Sequence, residues 1–232
     1  MLCVALATAA ILIAASQLST GSKQETKADS ASARVTQGST AAPAVQSLFA
    51  GIPQQGAVIG SPMARVTLVE YADLQCPYCG KWARETLPVL IKEYVRTGKL
   101  RIVFKGLAFL GPDSEKALRA VIAAGRQGRL WDLVHGLYKN QGAENSGWVT
   151  NELLRDLRSE IPGVDQAKLV ATGRSGWVQG EMKGAAASAE AAGVTGTPAF
   201  QIGPTGGQLQ TVELTSLAPD GIVPAVESVL AQ

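Results

Sequence analysis

Cys76 and Cys79, separated by Pro77-Tyr78, sit where a run of β-branched residues gives way to helical spacing. No other feature limits the folding options of this chain as much. Arg65-Val66-Thr67-Leu68-Val69-Glu70-Tyr71 is nearly continuous in apolar character, as suits a central strand covered on both faces. Beyond Cys79, residues Leu87, Leu90, Ile91, Tyr94 and Val95 share one helical face. Gly98 is placed to end that helix. Pro88 lies inside it and, lacking a donor, is expected to kink it. Leu100-Arg101-Ile102-Val103-Phe104-Lys105 reads as the next strand, and strand, helix and strand in this order make a parallel βαβ unit.

The junction gives the cysteine spacing a chemical meaning. Cys76 falls at a helix N-terminus, where unpaired backbone N–H groups and the positive end of the macrodipole favour a thiolate. The thiolate is the attacking species in disulfide exchange. Cys79 follows one helical turn later, placed to close a disulfide, and Pro77 suits the first helical position because its missing donor costs nothing there. Cys76 therefore reads as the exposed nucleophile and Cys79 as the more buried resolving thiol. Two other readings compete. A structural zinc site needs two further ligands, and besides carboxylates only Cys3 and the single histidine, His135, remain. A purely structural disulfide across so short a loop would constrain the unfolded chain little. Redox exchange is the favoured reading, with no metal and no cofactor.

Of the 232 residues 46% are hydrophobic, enough for one domain with a full core or a domain carrying an insertion. The net charge of +2 and the lack of a basic block speak against nucleic acid as a partner. Leu2 to Ala15 is an apolar run of 14 residues, short for a spanning helix and suited to a signal peptide. No Lys or Arg precedes it, a departure from the signal-peptide pattern. Residues 1–18 are accordingly read as a signal peptide, or as a membrane anchor if uncleaved, and either places the protein outside the cytoplasm. Residues 19–57 are rich in Ser, Thr, Ala, Gln and Gly and are read as a flexible linker. Ile52 to Ile59 is its one stretch expected to touch the domain, as a lead-in strand. Residues 107–192 show five successive apolar helical faces punctuated by Gly and Pro. Pro198 to Ile202 and Leu209 to Leu214 then read as a β-hairpin, and Gly221 to Leu230 as a closing helix. The sum is an α/β sheet with helices packed on it.

Val69-Glu70-Tyr71-Ala72-Asp73-Leu74-Gln75-Cys76-Pro77-Tyr78-Cys79 resembles the active-site segment of DsbA-like proteins in the thioredoxin superfamily. Gly193-Val194-Thr195-Gly196-Thr197-Pro198-Ala199-Phe200 resembles their cis-proline loop. Phe104 to Glu115 and Leu130 to Gln141 look like their inserted helical domain. The resemblance implies a thioredoxin-like fold with an inserted all-helical subdomain: residues 58–106, the insertion at 107–192, and residues 193–232. It implies a cis Thr197–Pro198 bond with Pro198 against the cysteine pair. Thr197, Pro198, Pro77 and Tyr78 become substrate-binding positions, where an extended substrate could pair as an added strand. Glu70 takes the role of an acid that moves protons to and from the resolving thiol, since a buried carboxylate is costly unless paired or protonated. Lys105 is its expected partner.

The remaining candidates carry less chemistry. His135 is expected on the surface or in a second layer, Asp73 as a solvated loop acid, and Trp82, Trp131, Trp148 and Trp177 in the core or groove wall. The function implied is a monomeric, extracytoplasmic thiol-disulfide oxidoreductase that oxidises protein thiols and is recycled by a membrane redox partner. An exported reductase or isomerase, and a redox-silent binding or chaperone module, stay open as alternatives. Pro-Tyr departs from the Pro-His of the best-known DsbA. Without an imidazolium beside the nucleophile, a less extreme oxidant is expected.

Overall fold

The computed structural model describes residues 48–232, so the leader and most of the linker lie outside the described residues. A six-stranded sheet runs in the order β1-β2-β4-β3-β5-β6. Its strands are β1 (Gln54–Gln55), β2 (Val58–Ile59), β3 (Val66–Asp73), β4 (Leu100–Leu107), β5 (Ala199–Pro204) and β6 (Gln210–Val212). All eight residues of β3 are buried, as its unbroken apolar run requires. β3 pairs with β4 in parallel and with β5 antiparallel. β2 and β6 extend the sheet antiparallel on either side.

Helix α1 (Pro77–Glu85) leaves β3 and is interrupted before α2 (Leu87–Leu90), which runs on into a π turn over Ile91–Val95. The break falls at Thr86, two residues before Pro88, which offers no N–H to the preceding turn. Gly98 closes the segment with φ 74°, a conformation that favours glycine. The helical insertion holds α3 (Pro112–Gly125), α4 (Leu130–Lys139), α5 (Asn151–Ser159), α6 (Gln166–Gly173) and α7 (Gly176–Ala191). The far end of α7 serves the sheet as well, where Ala189 packs with Val69, Tyr71 and Leu107. The last helix, α8 (Val223–Leu230), buries Val226 in the main core.

Sheet alternation divides β3 into two faces. Val66, Leu68 and Ala72 join Trp82, Phe104, Phe200 and the insertion's Leu118, Trp131 and Leu137 in one continuous core. Val69 and Tyr71 face the smaller cluster under α7.

Several sequence expectations need correction. Contact with the domain begins before the expected Ile52, at Leu48 and Phe49. Phe49 is 3% exposed and meets the Trp131 and His135 rings at 6.4 and 5.6 Å. Gln54 accepts the Trp131 amide and donates to Asp132 at 2.8 Å, so the lead-in hairpin also caps the start of α4. Composition hid this because a few apolar residues, Leu48, Phe49 and Ile52, make the contact within an otherwise polar and small-residue stretch. His135 is buried rather than superficial, with Nδ1 unpartnered among the described residues, and burial lowers its pKa to about 4. Trp82 and Trp131 are in the core, whereas Trp177 is 39% exposed and stacks under Arg126. Phe49→Ala should cost about 3 kcal/mol of stability, the usual scale for emptying a buried aromatic site. Urea unfolding of the full chain measures this, with the midpoint falling while the slope is kept.

Candidate active site

Cys76 ends the turn after β3 in extended conformation (φ −64°, ψ 119°) and acts as the N-cap of α1, with Pro77 at the first helical position. Its side chain is not spent on capping its own helix. Cys76 and Cys79 are free thiols and both are buried, so Cys76 is not the exposed thiol the sequence suggested: it is 5% accessible against 0% for Cys79, and the exposed residues are Pro77 and Tyr78 between them. The Thr197–Pro198 peptide bond is cis. The Thr197 carbonyl lies 3.3 Å from the Cys76 sulfur, so the loop before β5 meets the start of α1 at that sulfur. On the far side of that loop is a groove of about 420 Å³, lined by residues 192–201 and Thr211 to Leu214. Neither cysteine lines it.

The two thiols have opposite environments. A hydrogen bond from the Cys79 thiol is the largest influence on Cys76. Partial burial opposes it, and bonds involving Thr197 and the backbone amides of Cys79 and Tyr78 reinforce it, bringing Cys76 from 9.0 down to about 6. Cys79 is pushed well above 9.0, first by burial, then by its bond to Cys76 and the charges of Cys76 and Glu70. One sulfur is therefore held as an anion and the other as a thiol near neutrality.

Glu70 lies on the main core face, opposite Phe104 on one neighbouring strand and Phe200 on the other. It is 1% exposed, and its Oε1 has no partner among the described residues. Burial raises its pKa from 4.5 to about 8, so it is a neutral acid at pH 7. The expected Lys105 pairing is absent. Lys105 sits opposite Tyr71, so the alternation of the strands turns it to the other face of the sheet.

Asp73 departs furthest from expectation. Fully buried, it accepts hydrogen bonds from the Gln75, Phe109 and Leu110 amides at 2.9, 3.1 and 3.2 Å and from the Ser114 hydroxyl at 2.6 Å. A buried carboxylate is tolerable when its lone pairs are so fully engaged. Gln75 donates to Ser114 at 3.0 Å and accepts the Asn145 amide at 2.7 Å. Gln141 donates to the Leu74 and Cys76 carbonyls, each at 3.0 Å. Sequence reasoning missed these side chains. The one local signal was the polarity of Gln75 beside Cys76. Among the described residues, no group of three His, Cys, Asp or Glu side chains could hold a metal ion.

The chain matches the family described as Thioredoxin over residues 53–213. It belongs to the thioredoxin family. Within that family it is 33% identical over 121 residues to a probable disulfide bond formation protein D of Bacillus cereus, across 51% of this chain and 55% of that protein. The chain thus spans about half the length of the curated relatives it matches. The crystal structure of oxidised BdbD from Bacillus subtilis superposes with a TM-score of 0.66 at 21% identity, covering 78% of this chain and 98% of that one. That of Wolbachia pipientis alpha-DsbA1 gives 0.64 at 16%, covering 75% and 90%. The fold is that of DsbA-like thioredoxin proteins, a thioredoxin-like sheet carrying a helical insertion.

The Glu70 environment fixes a pH signature for this thioredoxin-family protein. A raised folded-state pKa means stability that is complete below the unfolded value near 4.5 and is lost as pH rises through about 8. Glu70→Gln removes that loss. Its melts should match wild type near pH 4, exceed it by about 3 kcal/mol at pH 7, and hold a constant gap above pH 8.

Proposed function

We propose that this chain is an extracytoplasmic thiol-disulfide oxidoreductase that oxidises protein thiols through Cys76 and Cys79. The observation that carries this reading is the divergence of the two thiols at one helix start. Cys76 is lowered to about 6 and Cys79 is raised, with the Thr197 carbonyl on the Cys76 sulfur. A structural bridge has no use for such asymmetry, whereas exchange chemistry needs one stable leaving thiolate and one protonated partner. The leader-like run Leu2 to Ala15 supports export. No helix among the described residues is long and apolar enough to cross a membrane.

In the oxidising direction, a substrate thiolate attacks Cys76 Sγ of the Cys76–Cys79 disulfide. The S–S bond breaks, its electron pair leaves on Cys79, and that sulfur takes up a proton. Glu70, a neutral acid below pH 8 whose charge is felt at Cys79, is the proposed proton source. The second substrate thiolate then attacks its own sulfur in the mixed disulfide and expels Cys76 as a thiolate. Two electrons pass from substrate to enzyme, and a membrane redox partner would remove them. Thr197, Pro198, Pro77 and Tyr78 form the proposed substrate face. The chain is proposed to act as a monomer.

Cys76→Ser should abolish dithiol oxidation and insulin reduction. Cys79→Ser should accumulate mixed disulfides with substrate proteins, visible on non-reducing gels. Activity surviving in Cys76→Ser would instead support the binding-module reading. Equilibration with glutathione buffers should give a reduction potential more negative than about −120 mV, the value of the strongest oxidant of this type. A thiolate at about 6 is less stabilised than one at about 3.5.

A further inference from the structure

The turn that presents Cys76 makes most of its polar contacts with the helical insertion. The Asp73 carboxylate bonds Ser114 and the amides of Phe109 and Leu110. The Gln75 amide bonds Ser114 and Asn145. The carbonyls on either side of Gln75, those of Leu74 and Cys76, share one partner, the Gln141 side-chain amide just past α4, with both contacts at 3.0 Å. The Cys76 carbonyl also accepts the Gly80 amide at 3.0 Å as the first helical bond of α1. Gln141 therefore braces the peptide group that defines where the helix begins.

Gly80 has a role in this arrangement. A Cβ there would lie 2.2 Å from Gln141 Oε1 and 2.7 Å from Arg84 Nη1. Glycine within a helix costs about 1 kcal/mol relative to alanine, so its presence in the first turns of α1 needs a reason. The space it leaves is occupied by the Gln141 amide. Arg84, on the next turn, donates to the Tyr138 carbonyl at 2.7 Å and fixes the end of α4 from which Gln141 projects.

We propose that Gln141 is a positioning residue for the Cys76 sulfur: its amide, supplied by the helical insertion, pins the Leu74–Cys76 turn so that the sulfur stays in reach of the Tyr78 and Cys79 backbone amides. No capping hydrogen bond is formed, so these first-turn amides favour the anion only as nearby dipoles, and their aim at the sulfur is set by the N-cap backbone of Cys76. A turn that relaxes moves the sulfur away from both amides and from the Cys79 thiol, and the anion loses part of its stabilisation. The inference rests on the reading of Cys76 as the nucleophile.

The test follows the pH dependence of iodoacetamide alkylation in the full chain, with Cys3→Ser so that Cys76 is the reporting thiol. Wild type should titrate near pH 6, and a value near 9 would refute the nucleophile reading whatever Gln141 does. Gln141→Met keeps side-chain length and removes both donors. Gly80→Ala raises helix propensity while its methyl displaces the Gln141 amide. In each, alkylation at pH 5 should fall about 3- to 10-fold while the plateau rate above pH 9 is unchanged, a shift of the whole profile upward by about half to one unit. Either variant decides the matter if the other does not fold. Profiles that superimpose on wild type would overturn the role of Gln141. So would a plateau lost in step with the low-pH rate, since that marks local collapse rather than positioning.

Discussion

A sulfur anion can persist at the start of α1 only while the backbone amides around it stay aimed at it. Interactions of N–H dipoles with an ion are strong but weaken as the donors turn away or retreat. The Cys76 sulfur is stabilised by neutral groups, the Cys79 thiol and the amides of Tyr78 and Cys79, and no cation contributes. Neutral donors act only at contact, so the site depends on geometry. That explains why a turn of few residues carries so many buried polar anchors. Asp73, Gln75 and the two carbonyls braced by Gln141 all find partners outside the turn.

The same site is built from groups pushed in opposite directions. Cys76 is lowered, while Cys79 and Glu70 are raised. Their contributions to stability have opposite signs. The lowered Cys76 adds stability to the reduced protein that is complete above its unfolded value near 9 and lost as pH falls through about 6. Glu70 loses stability for the fold over much of that interval as pH rises. The oxidised form has no Cys76 thiolate and keeps only the Glu70 penalty. Reduced protein should therefore gain on oxidised protein as pH increases from 6 to 9, which favours the oxidising direction proposed above.

The strand-helix junction was legible in the sequence because its signals are local: a β-branched run, a proline at the first helical position, helical spacing thereafter. The five helices of the insertion were legible for the same reason, and so was the hairpin after Pro198. What stayed hidden depends on partners distant in the chain. Asp73 reads as a loop acid until Ser114, Phe109 and Leu110 are brought against it. Lys105 looks adjacent to Glu70 until strand register turns the two to opposite faces. Phe49 sits in a stretch with the composition of a linker, and only the pocket between Trp131 and His135 shows it to be core. Nothing local distinguishes Gly80; its meaning lies in the Gln141 amide that fills the space beside it.

Satisfied and unsatisfied polar groups are not scattered evenly. The loop leading to Cys76 is almost fully bonded, yet Glu70 Oε1 and Trp82 Nε1, in the core layer beneath α1, have no partner among the described residues. Each unpaired buried polar atom costs about 1–3 kcal/mol, and an aliphatic residue at position 70 between Phe104 and Phe200 would remove that cost outright. Packing alone gives no reason for a carboxyl there. A neutral acid held near 8, close enough for its charge to be felt at Cys79, suits the role of proton source proposed for it above. The instability at Glu70 and the rigidity at Cys76 thus serve one arrangement, in which the anion is held still while the proton beneath it is left free to move.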